Sequence, residues 1–352
     1  MARMSAAPPP ASTDWREEIA PDEDDRFTRH AETLREIQRS NDRRSGKGRG
    51  LHRKGHVGVE GSFEVLDGLP EELRVGLAAT PTKYRALVRF SNGGPVHQGD
   101  GKPDIRGIAV KLLGVPGKKI IAGMEDAVTQ DLLAIHMAYG PFRGPDEFVG
   151  FVQAARSPAL ALPRLIARFG FGGAFRMLRE FLKGVGKPPP TLATMTFFSG
   201  LPLRWGDHAA KFVLQPVPGA SDAGGEAKGD DRLRADLGAR LARAELQWDF
   251  CVQLYRDAER TPIEDARVEW KQDVAPLVKV ARLTLPVQDV TSARGVALTK
   301  WLEQLSFDPW HALEEHRPLG ALMRARNQAY RLSTLERGAA GEPAVDGQPP
   351  GA

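Results

Sequence analysis

The sequence predicts an α+β protein, an antiparallel β-barrel or sheet with helices around it and a helical C-terminal part. Three observations point there. Short runs of β-forming residues recur at close spacing with turn residues between them, as antiparallel strands do. Helical periodicity is confined to the two ends and one central stretch. At 41% hydrophobic and 27% charged residues, the 352-residue chain has the composition of a globular protein large enough to bury a core.

The elements follow in order. Residues 1–14 are rich in Ala, Pro and Ser and are expected to be disordered. Residues 15–41 mix charges at helical spacing and read as one arm helix. The strand candidates are "GSFEVLDGL", "RALVRFSN", "IRGIAVKLLG", "QDLLAIHM", "AAKFVLQPV", "LQWDFCVQLYRD" and "VKVARLTLPVQDV". Residues 145–186 read as helix broken by glycine and proline, residues 219–231 as a loop, and residues 292–337 as helix interrupted by "FDPWH". This divides the chain into an arm (1–48), one domain (49–337) and a flexible tail (338–352).

Composition excludes several classes. One cysteine, Cys251, rules out an intrachain disulfide and a Cys-based zinc site. It lies in a strand-like run and reads as a small buried hydrophobe. The most apolar window, residues 159–175, is interrupted by Pro163, Arg164 and Arg168, so no membrane span is expected. The N-terminus shows no signal-peptide pattern, so the expected location is the cytoplasm. Net charge is +4, concentrated at residues 43–54 and 317–337. The first of these segments lacks interleaved aromatics, and no nucleic-acid-binding motif appears, so no nucleic-acid partner is expected.

The C-terminal stretch "LGALMRARNQAYRLSTLER" places Arg326 and Tyr330 at i and i+4, on one helix face. A guanidinium against a phenolic oxygen favours the charged form of the phenol, which makes it a better metal ligand. Three further segments accompany it: "RGLHRKG" with Arg49, His52 and Lys54; "RFSN" with Arg89 and Ser91; and "DIRGIAVK" from Asp104 to Lys111. In this order and spacing, over residues 49–337, the chain resembles the haem catalase family, specifically its small catalase-related peroxidases.

The resemblance implies a catalase-like antiparallel β-barrel with surrounding and C-terminal helices. It implies haem b with ferric iron and Tyr330 as its metal ligand, Arg326 being the charge partner of that tyrosine. It assigns His52 as the distal histidine and Ser91 as the serine that orients it. It assigns Arg49, Arg89 and Arg337 to the haem propionates, and Phe148 to an aromatic position against the haem. The family's distal asparagine falls on His136 here, Ala138 stands at its proline, and Gly140 and Pro141 replace two phenylalanines. The distal pocket is therefore expected to differ, with a titratable group where the family has an amide.

The remaining histidines take other expectations. His56 shares a strand face with His52, but the H-x-K-G context favours His52. His97 is expected in solvent, His30 on the arm helix, and His208, His311 and His316 in structural roles. Trp301 and Trp310 read as core anchors, and "SNGG" and "GDGKPD" as turns. The expected function is a haem peroxidase or catalase-type oxidoreductase acting on hydrogen peroxide or an organic hydroperoxide, with an unknown reductant. The alternatives are a fatty-acid hydroperoxide isomerase or lyase, and a haem-binding or sensing protein with little turnover. Assembly into a homo-oligomer is a further expectation.

Overall fold

A computed structural model describes residues 9–219 and 227–349. Nine strands form one antiparallel sheet: β1 (Gly55–Val65), β2 (Lys83–Asn92), β3 (Arg106–Leu113), β4 (Thr129–Ile135), β5 (Phe197–Phe198), β6 (Leu203–Trp205), β7 (His208–Pro216), β8 (Leu246–Leu254) and β9 (Val278–Leu285). Their order is β5-β4-β3-β2-β1-β9-β8-β7-β6, and a further pairing of β5 with β7 closes eight of them into a barrel. The expected antiparallel barrel is the observed one. Closure leaves no open edge among those eight strands, and β6 is held as a hairpin on β7.

The barrel is filled, not hollow. Phe63, Trp205, Trp248 and Phe250 are fully buried inside it. Phe250 meets Phe63 edge-on and stacks on Phe212, both at 5.1 Å between ring centres. On β2, Ala86, Val88 and Phe90 point into this core, so Leu87, Arg89 and Ser91 must point out. Leu87 is nevertheless buried, because Leu298, Trp301 and Leu302 cover it from outside. A strand buried on both faces reads as a continuous apolar run, which is how "RALVRF" reads. Any site must therefore lie on the outer face, between the strands and the helices.

Among the described residues six α-helices supply that outer layer: α1 (Glu23–Ser45), α2 (Pro145–Ala155), α3 (Pro158–Val185), α4 (Arg232–Leu241), α5 (Ala293–Gln304) and α6 (Ala321–Arg337). Helix α5 packs on β1 and β2, α1 packs on α6, and α2 touches α6. Helix α5 starts at Ser292, whose hydroxyl accepts from the Gly295 N–H. Helix α6 stops at Gly338, which takes the left-handed conformation (φ 64°) and donates to the Leu335 and Thr334 carbonyls.

Several boundaries depart from the sequence reading. The arm is an extended strap before a helix that begins at Glu23, not a helix from residue 15. Within the span expected to be disordered, Ser12 N–H donates to the Tyr255 carbonyl at 3.0 Å and Ala11 packs on the core; residues 1–8 lie outside the described residues. Helix α4 was missed beside the predicted loop, part of which (220–226) is also outside them. The tail is not a loose linker where it is described. Glu342 reaches the buried Lys111 ammonium at 2.6 Å, and Ala340 N–H donates to the Gln304 carbonyl at 2.9 Å. Composition marked this segment as mobile because the charge that holds it lies more than two hundred residues earlier. Among the described residues no helix is long and apolar enough to cross a membrane.

Candidate functional site

The site begins where the loop 49–54 runs alongside the end of β2. His52 donates its N–H to the Gly93 carbonyl at 3.0 Å, and its own carbonyl accepts from Arg89 at 2.9 Å. These bonds hold His52 at φ 52°, the single positive φ outside glycine among the described residues. An L-residue with a bulky ring pays for that conformation in strain, and such strain gathers at functional positions. The ring then meets Ser91, with Nδ1 and Oγ 3.0 Å apart. Across the ladder, Ser91 pairs with Gly107, where a β-carbon would sit 2.7 Å from His52 Cε1. Only glycine leaves room for the imidazole there.

His52 is surrounded by protein mass, yet part of its surface stays accessible. Its pKa is pushed down to about 3, first by burial and then by Arg89, Arg326 and Arg49. At neutral pH the imidazole is unprotonated. The outer barrel face beside it carries small or apolar side chains at Ala109, Leu133 and Ile135, which also keep partial exposure.

Three arginines converge next to it around one carboxylate. Arg89 grips Glu303 with bonds of 2.8 and 3.0 Å. Arg49 Nη2 donates to the carbonyls of Leu302, Glu303 and Leu305, the last at 2.7 Å. Arg337 Nη2 donates to the same Leu305 carbonyl at 2.7 Å. Arg49 and Arg337 thus satisfy the carbonyls that end α5. Burial and the neighbouring arginines hold Arg49 well below the usual guanidinium range and bring Arg337 to about 10. Burial raises the Glu303 pKa, but Arg89, Arg49 and Arg337 outweigh it and leave the carboxyl below its ordinary value. One carboxylate against three cations leaves this corner short of negative charge.

On α6, Arg326 Nη2 donates to the Tyr330 hydroxyl at 2.7 Å, with the guanidinium over the ring at 5.0 Å. Arg326 lies within electrostatic reach of His52, and Tyr330 within reach of Arg49. His52, Ser91, Arg49, Arg89, Arg326, Tyr330 and Arg337 are thereby brought into one neighbourhood. Phe148 sits on α2 in an aromatic cluster, edge-on to Phe142 at 5.6 Å.

His136 is placed differently from expectation. Its Nδ1 accepts from the Arg106 N–H at 2.9 Å, and main-chain groups of Gly184 and Val185 take up the ring's other side. It ties the end of β4 to β3 and α3, and its ring is spent on main chain. His56 belongs to another network, with Nε2 2.7 Å from Asn92 Oδ1 and Asp100 close by. Burial lowers its pKa to about 4.

Two residues of this corner escaped sequence reasoning, Gly107 and Glu303. Gly107 lies inside the quoted "DIRGIAVK", and its signal is the small G-x-A pair on one strand face. Glu303 is an acid in the last turn of a helix, where the dipole favours a base. That misfit pointed to cations from elsewhere. The basic segment 317–337 is also partly spent on structure: Arg324 Nη1 lies 2.5 Å from Glu17 and Nη2 2.8 Å from Glu23, tying strap, α1 and α6 together.

The protein is a closed antiparallel barrel, packed inside, that carries a histidine–serine pair and an arginine–tyrosine pair on its outer face. Comparison with solved structures identifies it as a catalase-like fold. Catalase A from Saccharomyces cerevisiae superposes with a TM-score of 0.65 at 18% identity, covering 89% of this chain and 69% of that one. A fungal catalase gives 0.64 at 19%, covering 82% of this chain and 59% of that chain's length. A bacterial catalase gives 0.62 at 18%, covering 97% and 64%. The chain thus spans about three-fifths of the length of the fungal enzyme. No family model matches the sequence, and no curated protein matches it.

Proposed function

We propose that this chain is a haem-dependent peroxidase or catalase-related enzyme that decomposes hydrogen peroxide or organic hydroperoxides. The observation that carries the reading is the strained, neutral His52 held by Ser91 within electrostatic reach of an arginine-paired tyrosine. The residues fit the group. Arg49 Nε is buried without a hydrogen-bond partner beside Arg89 and Arg337, and this positive corner suits propionate groups of haem b, Glu303 being the carboxylate that already holds Arg89. Ala109, Leu133 and Ile135 suit a flat apolar macrocycle. The phenol of Tyr330, hydrogen-bonded to Arg326, would hold the ferric iron through its oxygen. Among the described residues no group of three His, Cys, Asp or Glu side chains gathers as a rival metal site.

When bound, ferric haem would supply the redox chemistry at the peroxide oxygens. The rest falls to the chain. With Nδ1–H donating to Ser91, His52 keeps its Nε2 lone pair free. Nε2 takes the proton from one peroxide oxygen and returns it to the departing one, acting as base and then acid. A pKa near 3 is low for that task, and its second cause is the surrounding arginines. Propionates beside Arg49 and Arg89 would cancel part of that positive field and bring His52 closer to the working pH.

The test is the optical spectrum of the full chain supplied with haem, followed by peroxide consumption. A stoichiometric Soret band with high-spin ferric tyrosinate features is expected. Tyr330→Phe is expected to lose those features and most haem affinity. A folded protein that takes up no haem, or a Tyr330→Phe spectrum identical to the parent's, overturns the reading.

A further inference from the structure

Helix α3 presents an apolar stripe to solvent. Leu160 is 50% exposed, Phe171 66%, Phe175 46% and Leu182 58%. Phe171, Phe175, Arg179 and Leu182 follow at helical spacing on one face. The two phenyl rings stack on each other at 4.8 Å. Isolated exposed apolar residues are ordinary, but a stripe along one helix marks an interaction surface.

The charge on the same helix says what kind. Helix α3 carries Arg164, Arg168, Arg176, Arg179 and Lys183 against the single acid Glu180. Arg176 is engaged inward by Glu147 at 2.5 Å, and Arg179 pairs with Glu180 at 2.9 Å. Arg164 and Arg168 are exposed and make no ion pair among the described residues, although Arg168 donates to Gln153 Oε1 at 2.8 Å and lies over the Phe169 ring. Aromatic and aliphatic side chains flanked by arginines form the pattern of a helix that lies in a lipid interface. A second copy of this chain suits the stripe poorly, because a two-fold contact would set arginines against arginines. The helix bends at Gly170 (φ 71°), with Arg164 and Arg168 on the segment before the bend and Phe171 and Phe175 on the segment after it.

We propose that α3 docks this protein on anionic lipid surfaces, with Phe171 and Phe175 inserted at the acyl boundary and Arg164 and Arg168 on the headgroups. Together with the peroxide reading above, on which this step rests, docking selects membrane-borne fatty-acyl hydroperoxides as substrates. The C-terminal end of α3 meets the end of β4, where Gly184 packs on Met137 and joins His136.

The experiment is flotation of the full chain with phosphatidylcholine vesicles, with and without phosphatidylglycerol. Binding is expected only with the anionic lipid and is expected to weaken as salt rises. The double variant Phe171→Ser/Phe175→Ser is expected to weaken it about tenfold or more. Each of Arg164→Gln and Arg168→Gln is expected to weaken it about fivefold. Phe171, Phe175 and Arg164 are exposed, so the melting temperature of their variants should stay at the parent value and separate docking from folding. No binding to anionic vesicles, or equal binding by the phenylalanine variant, overturns the proposal. So does a concentration-dependent dimer that the same variant dissolves, which would assign the stripe to a second copy. Flotation needs no turnover, so its failure is distinct from failure of the peroxide reading. If flotation succeeds, hydroperoxide carried in anionic vesicles should be consumed faster than in neutral ones.

Discussion

His52 concentrates three costs that stability alone does not explain: a left-handed backbone, a buried neutral imidazole and a glycine reserved opposite it. A side chain kept only for packing would be relieved of all three by substitution. His52→Asn tests this, because asparagine tolerates the left-handed region better than most residues. The variant is expected to fold with unchanged or slightly higher stability and to take up haem. Peroxide turnover is expected to fall by about a hundredfold or more, the usual share of acid–base work. Steady-state turnover beside a thermal melt measures both. Parent-level turnover would move the proton work off His52.

At the scale of elements, the strands were legible because their apolar runs are short, β-branched and separated by turn residues. The pairing that closes β5 on β7 was not legible, since β5 has only two residues. His52, Ser91, Arg89, Arg326 and Tyr330 stood out through local spacing. Glu303 and Gly107 did not, because their roles exist only across the ladder or between helix and barrel. The tail shows the same limit. Glu342 stands over the outer barrel face, with Lys111 at 2.6 Å and the Thr129 hydroxyl at 2.8 Å. Lys111 also lies 2.7 Å from Asp131, yet Asp131 Oδ1 receives no well-directed hydrogen bond. The ammonium stays charged through its carboxylate neighbours despite burial, and Glu342 stays ionised through Lys111. Asp131 is the carboxyl that rises, to about 7, through burial. Glu342→Ala removes one of the two carboxylates that face the buried ammonium and also part of what raises Asp131, which is left to pair Lys111 at 2.7 Å. It should destabilise the fold by about 1–3 kcal/mol in chemical denaturation, the usual cost of a lost charged hydrogen bond. A loss under 1 kcal/mol would mean that the tail is dispensable to the barrel.

For the whole molecule, buried histidines set the response to acid. Burial lowers His52 and His311 to about 3, and His56 and His316 to about 4, against an ordinary value of 6.5. The unfolded chain takes up these protons as pH falls through 6.5 while the folded chain does not. Stability contributed by the neutral rings is complete above that pH and is lost as pH falls toward 4. Asp131 and Asp308 act in the opposite sense, since burial raises both to about 7 from 3.8. The folded chain binds those two protons first, and they offset two of the four histidines. For these six groups the net is up to two protons in favour of the unfolded state, or about 2.7 kcal/mol per pH unit between 6.5 and 4, and His97 and His136, also lowered by burial, act in the same sense. Urea denaturation across that range should show the slope. His316→Gln should flatten it by about one proton's worth, because His316 is buried beneath Trp205 and uses Nε2 only to accept from the Leu77 N–H at 3.1 Å. A stability that holds level or rises on acidification would mean that these rings enter the fold already charged, with carboxylates close enough to pair them.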